Sequence, residues 1–212
     1  MSTSRQVADA LGDRIYRCEL LPGAPLREIP IAEEFQVSRR TVREALLVLV
    51  SQGLVDHVRN HGASVRVLRA EDVVDLYRVR RTLEVQGARA CTDAEDGLRA
   101  RLTSALEALA TAAHADDAQD IILRDLAFHG AVVGLTGSPR LDAFYSRFSH
   151  EMRMALTMIR QDEMATRTTP DQVVADHRRI HDHLLARDAF GAQLAIVEHI
   201  AANERRLLSL IG

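Results

Sequence analysis

The chain of 212 residues contains no lysine and no tryptophan, and all 27 of its basic residues are arginine. Aromatic residues make up only 4% of it, so a core must be built from alanine, leucine, valine and isoleucine. That composition favours helices packed through small and aliphatic side chains. Only two cysteines occur, Cys18 and Cys91, at no recognisable framework spacing. This excludes a disulfide-stapled scaffold and a cysteine-based zinc module, and both thiols, lying in helical patterns, are expected to be buried and free in a reducing compartment. No apolar run approaches the roughly eighteen residues needed to cross a bilayer. The N-terminus, MSTSRQVADALGDR, lacks the apolar segment of an export signal, so a cytoplasmic location with no membrane partner is expected. P-loop, HExxH and nucleophile-elbow motifs are all missing, which removes the commonest enzyme signatures.

A net charge of −3 rules out a uniformly basic nucleic-acid binder. The charges are unevenly divided, however. Residues 1–68 carry nine arginines against eight acids, and residues 69–212 carry eighteen against twenty-two. Affinity for DNA would therefore come from a local patch, with Arg39, Arg40, Arg43, Arg59 and Arg66 as its members.

What is present is concentrated first between Pro22 and Val65. This stretch reads as helix, tight turn at Gln36-Val37, helix, then a two-stranded β-wing turning at Asn60-His61-Gly62. A preceding helix, residues 4–18, places Val7, Leu11 and Ile15 on one face. Ser38 is placed to cap the second helix of the pair by accepting a backbone N–H. From Arg39 onward the apolar residues Val42, Ala45, Leu46, Leu49 and Val50 recur with a helical period. At about 100° per residue, Arg40, Arg43 and Leu47 point away from that stripe. A helix packed on one side and carrying guanidinium groups near its N-terminus suits the major groove, where arginine holds guanine O6 and N7 together. The sequence thus nominates Ser38, Arg39, Arg40, Thr41 and Arg43 on this helix as DNA contacts. The wing adds Arg59, Asn60, His61 and Gly62, each of which serves equally well as a plain hairpin turn.

The same residues resemble the winged helix-turn-helix of GntR-type bacterial transcription regulators, whose usual form is close to PGxxLxExxLAxxFGVSRTPVREALxxLxxxGLV followed by GxxV. Matching positions include Pro22, Gly23, Leu26, Glu28, Ala32, Phe35, Ser38, Arg39, Val42, Arg43, Glu44, Ala45, Leu46, Gly53, Leu54, Gly62 and Val65. Three departures bear on DNA reading. Gln36 stands at the usual glycine, Arg40-Thr41 at the usual Thr-Pro, and Ile29 where relatives often carry a polar or basic residue.

From Ala70 the pattern is helical throughout, with helices expected near 71–92, 95–114, 117–135, 138–162, 170–187 and 189–210. The fold class is therefore mainly α: a winged helix-turn-helix of three helices and a wing over residues 1–68, then an all-helical bundle over residues 69–212. Within the bundle, Asp125 and His129 lie four apart and share a helix face. With His177 and His199 they form a carboxylate–imidazole set suited to zinc, nickel or another divalent transition metal. On spacing alone His181 competes with His177, and any of these histidines can equally be a surface or satisfied core residue.

Residues 70–212 resemble the FCD effector domain that follows the winged helix in FadR-type GntR regulators. DLAFHGAVVGLTGSPRL is similar to that family's DxxFHxxLxxxxGNPxL, and DHRRIHDHLLARDAFGAQLAIVEHI to its EHxxIxxAIxxxDxxxAxxxxxxHL. The resemblance implies Asp125, His129, His177 and His199 as ligands of a divalent metal, zinc first. It implies Arg80, on the helix carrying YRVRR, as a partner for an organic or sugar-acid effector, with Arg78 and Arg81 as local competitors. The function implied is a repressor, not an enzyme, acting as a homodimer on double-stranded DNA with an inverted-repeat operator. Two other readings stand beside it. In one the metal is purely structural and DNA binding is constitutive. In the other a metal-activated water performs catalysis.

Overall fold

The computed structural model describes residues 3–58, 62–115, 117–165 and 169–211, and their side chains except at position 58 and positions 160–165. The chain divides into two compact units, Met1–Leu68 and Arg69–Gly212.

In the first unit, α1 (Ser4–Tyr16) is opened by a capping box in which Thr3 and Gln6 satisfy each other's backbone N–H groups. It buries Val7, Ala8, Leu11 and Ile15 and packs on α3. Helix α1 stops two residues earlier than its sequence pattern suggests. Cys18 follows it with φ of 57° and is only half-buried, so the expectation of a helical, buried thiol fails there. Cys91 is fully buried, at the end of α4 (Ala70–Ala90).

Helices α2 (Glu28–Glu34) and α3 (Arg39–Ser51) form the helix-turn-helix. Gln36 in the turn has φ of 53°. A side chain there carries about 1 kcal/mol of strain that glycine would avoid. Ser38 caps α3, its hydroxyl accepting the Thr41 N–H at 3.1 Å. Val42, Ala45, Leu46 and Leu49 are buried, and Val50 is half-buried.

The wing differs from its two-stranded expectation. Strands β2 (Val55–Val58) and β3 (Gly62–Val65) pair antiparallel, and β1 (Pro25–Leu26) adds to the other edge of β3, giving the order β1-β3-β2. The extra strand arises at Gly23, whose φ of 81° turns the chain so that its N–H reaches Val65 O at 2.9 Å. Proline at an edge position loses no ladder bond, so Pro25 is tolerated.

In the second unit, α4 is followed by α5 (Asp96–Ala115), α6 (Ala118–Gly134), α7 (Pro139–Ala165), α8 (Pro170–Leu185) and α9 (Ala189–Ile211). All six begin and end within three residues of the expected positions. Helix α6 is central, packing against α4, α5 and α7, while α9 packs along α4 and α8. The α4–α6 crossing is close at Gly87, where an added Cβ would collide with the carbonyl oxygen of Val132. That approach lets side chains of α4 reach those of α6.

Candidate metal and effector centre

Asp125 and His129 stand one turn apart on the inner face of α6, His177 comes from α8 and His199 from α9. One ligand atom from each of the four lies within 4.8 Å of the others. His181, the competitor on spacing, is turned elsewhere, with Nε2 3.1 Å from Thr103 Oγ1 and Nδ1 3.1 Å from Asp182. The three imidazoles pack as a cluster, His129 stacked on His199 with centroids 5.1 Å apart and His177 edge-on to both. Phe128, fully buried, braces His129 and His177 from one side.

His129 and His177 are oriented through an outer nitrogen. His129 Nδ1 donates to Glu84 Oε2 at 2.7 Å. His177 Nδ1 donates to Val173 O at 2.9 Å, leaving Nε2 2.8 Å from Asp125 Oδ1. His199 Nδ1 lies 3.9 Å from Asp176, and its Nε2 3.2 Å from Asn203 Nδ2. For His129 and His177 the acceptor on Nδ1 fixes the tautomer that leaves a lone pair on Nε2.

Glu84 and Arg80, one turn apart on α4, were not both visible as site members in the sequence. Arg80 is fully buried. Its Nε donates to Glu84 Oε1 at 2.8 Å, and its Nη2 lies 3.9 Å from Asp125 Oδ2. Arg78 instead pairs with Asp75 and Arg81 with Glu204, so neither competes. Glu84 and Asp176 escaped the sequence analysis. The i, i+4 pair Arg80/Glu84 was the one available signal for the former.

Four buried polar atoms converge here without a hydrogen-bond partner: His129 Nε2, Asp125 Oδ2 and both Arg80 Nη atoms. Buried polar groups are rarely left so. The donor set suits a divalent transition metal, and the two orphan acceptors are what such an ion would occupy. Burial alone would raise the Asp125 carboxyl, but its neighbours His129, His177 and Arg80 together hold it well below the usual carboxylate range. Burial pushes His129 and His199 below the ordinary imidazole value, His129 strongly. These shifts favour an ionised Asp125 and neutral His129 and His199, the forms that a metal requires of them.

Asp125, His177 and His199 open on a cavity of about 240 Å³. Its walls include Ile121, Ile122, Leu156 and Ile159, and Gln172, Asp176, Asn203 and Arg206 add polar groups.

In the first unit, Arg39, Arg40 and Arg43 are exposed on α3, beside exposed Leu47. Thr41 is half-buried, and its hydroxyl lies 2.8 Å from that of Ser38. The arginines are not free: Arg39 and Arg43 pair with Glu28, and Arg40 with Glu44. Gly62 opens β3 with φ of 85°. Arg59, Asn60 and His61 lie outside the described residues.

A winged helix-turn-helix followed in the chain by an all-helical bundle with a buried carboxylate–imidazole cluster is the architecture of a DNA-binding regulator with an effector domain. The chain belongs to the GntR family of bacterial regulatory proteins, matched over residues 3–67, with an FCD domain matched over residues 75–202. It is 29% identical to the Nta operon transcriptional regulator of Aminobacter aminovorans, over 90% of this chain and 87% of that one. It is 24% identical to the galactonate operon transcriptional repressor of Escherichia coli K12, over 98% and 97% of the two chains. A solved GntR-type regulator from Rhodococcus sp. RHA1 superposes with a TM-score of 0.82 at 29% identity, over 97% of both chains. The relatives are transcription regulators and none is an enzyme, and this chain is a transcription regulator of the same kind.

Proposed function

We propose that this regulator is a cytoplasmic homodimeric repressor whose hold on an inverted-repeat operator is released by a small organic or sugar acid. The observation that carries the effector half is the convergence of four metal-competent side chains with the Nη groups of buried Arg80, neither of which makes a hydrogen bond. Arg80, Glu84 and Asp125 bring one positive and two negative formal charges to the centre. A divalent ion, zinc first, held by Asp125, His129, His177 and His199 reverses the net sign and makes the cavity attractive to a carboxylate. The metal supplies Lewis acidity toward carboxylate oxygens when bound, and Arg80 offers two N–H groups to the same anion. That the E. coli relative governs a galactonate operon supports a sugar acid as the class. On the DNA side, Ser38, Arg39, Arg40, Thr41 and Arg43 approach the major groove and residues 59–62 of the wing approach the backbone or minor groove.

A second reading rests on the ligand count. Four protein ligands complete a tetrahedral zinc, which would then only tie α6, α8 and α9 together. One experiment separates the two. The protein is melted metal-loaded and chelated against a panel of small carboxylates. An effector at about 100 times its dissociation constant stabilises by ~2.7 kcal/mol, several degrees, and only when metal is present. A melt that falls on chelation but answers to no carboxylate supports the structural metal. Failure to retard the DNA upstream of its own gene at low salt would sink the operator half.

A further inference from the structure

Glu28 is the first residue of α2, and it takes both arginines that α3 presents one turn apart. Arg39 Nη2 donates to Glu28 Oε2 at 3.1 Å and Arg43 Nε to Oε1 at 2.6 Å, so each carboxylate oxygen holds a different guanidinium. The arginine side chains remain 58% and 62% exposed, whereas Glu28 is 25% exposed. The carboxylate is thus set back and the guanidinium groups stand in front of it. The hydrogen bond from Arg43 holds the carboxyl below its ordinary range against the opposing effect of burial, and Arg39 adds to it.

An exposed ion pair contributes little to stability, so stabilising the fold is a poor account of this arrangement. Its consequence is for the arginines. A free arginine side chain samples many rotamers, and that freedom is lost whenever it fixes on a base edge. A side chain already held by a carboxylate loses less on binding, and it meets only those sequences whose acceptors lie where it is held. The same carboxylate places a negative charge behind the two guanidinium groups, which weakens their attraction to any phosphate backbone.

We propose that Glu28 is a specificity-determining positioning residue for DNA reading: it holds Arg39 and Arg43 in a fixed pose and penalises sequence-independent binding. This rests on the reading of α3 as the recognition helix. The test starts with full-length protein and a random-sequence duplex library, from which wild type selects its preferred duplex. Wild type failing to enrich any sequence overturns the recognition-helix reading itself, and the proposal with it. Affinities for the selected duplex and for unselected duplex are then measured across a salt series for wild type, Glu28→Gln and Glu28→Asp. Glu28→Gln is expected to bind unselected duplex roughly threefold or more tightly, with a salt slope steeper by about one. Its selected-to-unselected ratio is expected to fall about tenfold, the scale of one lost base discrimination. Glu28→Asp keeps the charge but withdraws the carboxylate by one methylene, so its ratio falls without a gain on unselected duplex. An unchanged ratio in Glu28→Asp, or equal loss on both duplexes with a lowered melting temperature, overturns the proposal.

Discussion

Glu84 on α4 receives the Nδ1 proton of His129 on α6 at 2.7 Å, in a position where neither side chain is accessible to solvent. The same carboxylate holds Arg80 Nε at 2.8 Å. One residue therefore aims a candidate metal ligand and anchors the candidate effector arginine.

Glu84→Gln keeps the shape but replaces the charged acceptor with a neutral one. Metal affinity, read by chelator competition, is expected to drop about 10- to 100-fold, the usual cost of losing such an outer partner. An affinity unchanged within twofold would mean that His129 is not oriented through Glu84.

Arg80→Lys retains the buried charge beside Glu84 and loses the forked donor pair. The thermal shift on adding metal should survive, and the further shift of several degrees with a carboxylate should vanish. Arg80→Ala is the wrong test, because an unpaired buried Glu84 costs about 3–5 kcal/mol by itself.

The histidines set a pH dependence with a definite sign. Burial lowers the folded values of His129 and His199 below the ordinary 6.5. Between those folded values and 6.5 the unfolded chain binds more protons than the folded one, so stability rises with pH there and falls as the solution is acidified below 6.5. Metal affinity should decline in the same direction, since protons compete for the imidazole nitrogens. Chelated and metal-loaded melts from pH 7.5 to pH 5 would check this, with the gap between the two curves closing toward the acid end.

Gly87→Ala places a methyl against the Val132 carbonyl. Separating α4 from α6 should destabilise the bundle by ~1–3 kcal/mol, as overpacking does. The Glu84–His129 bond crosses the same interface, so metal affinity should fall with the melting temperature and not independently of it.

Arg43→Ala should weaken binding to every duplex and reduce the salt slope by about one if Arg43 meets phosphate. If it reads a base, the loss concentrates on the selected duplex. A mobility-shift series at several salt concentrations distinguishes the two, and no change at any salt would remove Arg43 from the interface.

Much of the fold was legible because helices advertise themselves locally. The 3.6-residue recurrence of Val42, Ala45, Leu46 and Leu49, and the cap at Ser38, need no distant partner to be recognised. The spacing of Asp125 and His129 was equally local, and resemblance linked them to His177 and His199. Other features depend on segments far apart in the chain. Strand β1 exists because Gly23 delivers Pro25–Leu26 to an edge of β3 some forty residues later, and two residues carry no periodicity to detect. Cys18 looked helical because its apolar phase continued that of α1, yet the helix had already ended. Glu84 read as one acid among many on an amphipathic helix. Its burial, its bond to His129 forty-five positions away and the burial of Arg80 follow from the close α4–α6 approach at Gly87. Local pattern thus determines which elements form and which residue types they display. Which of those residues meet is decided by packing, because close approach selects a few long-range pairs from many that sequence spacing leaves equivalent.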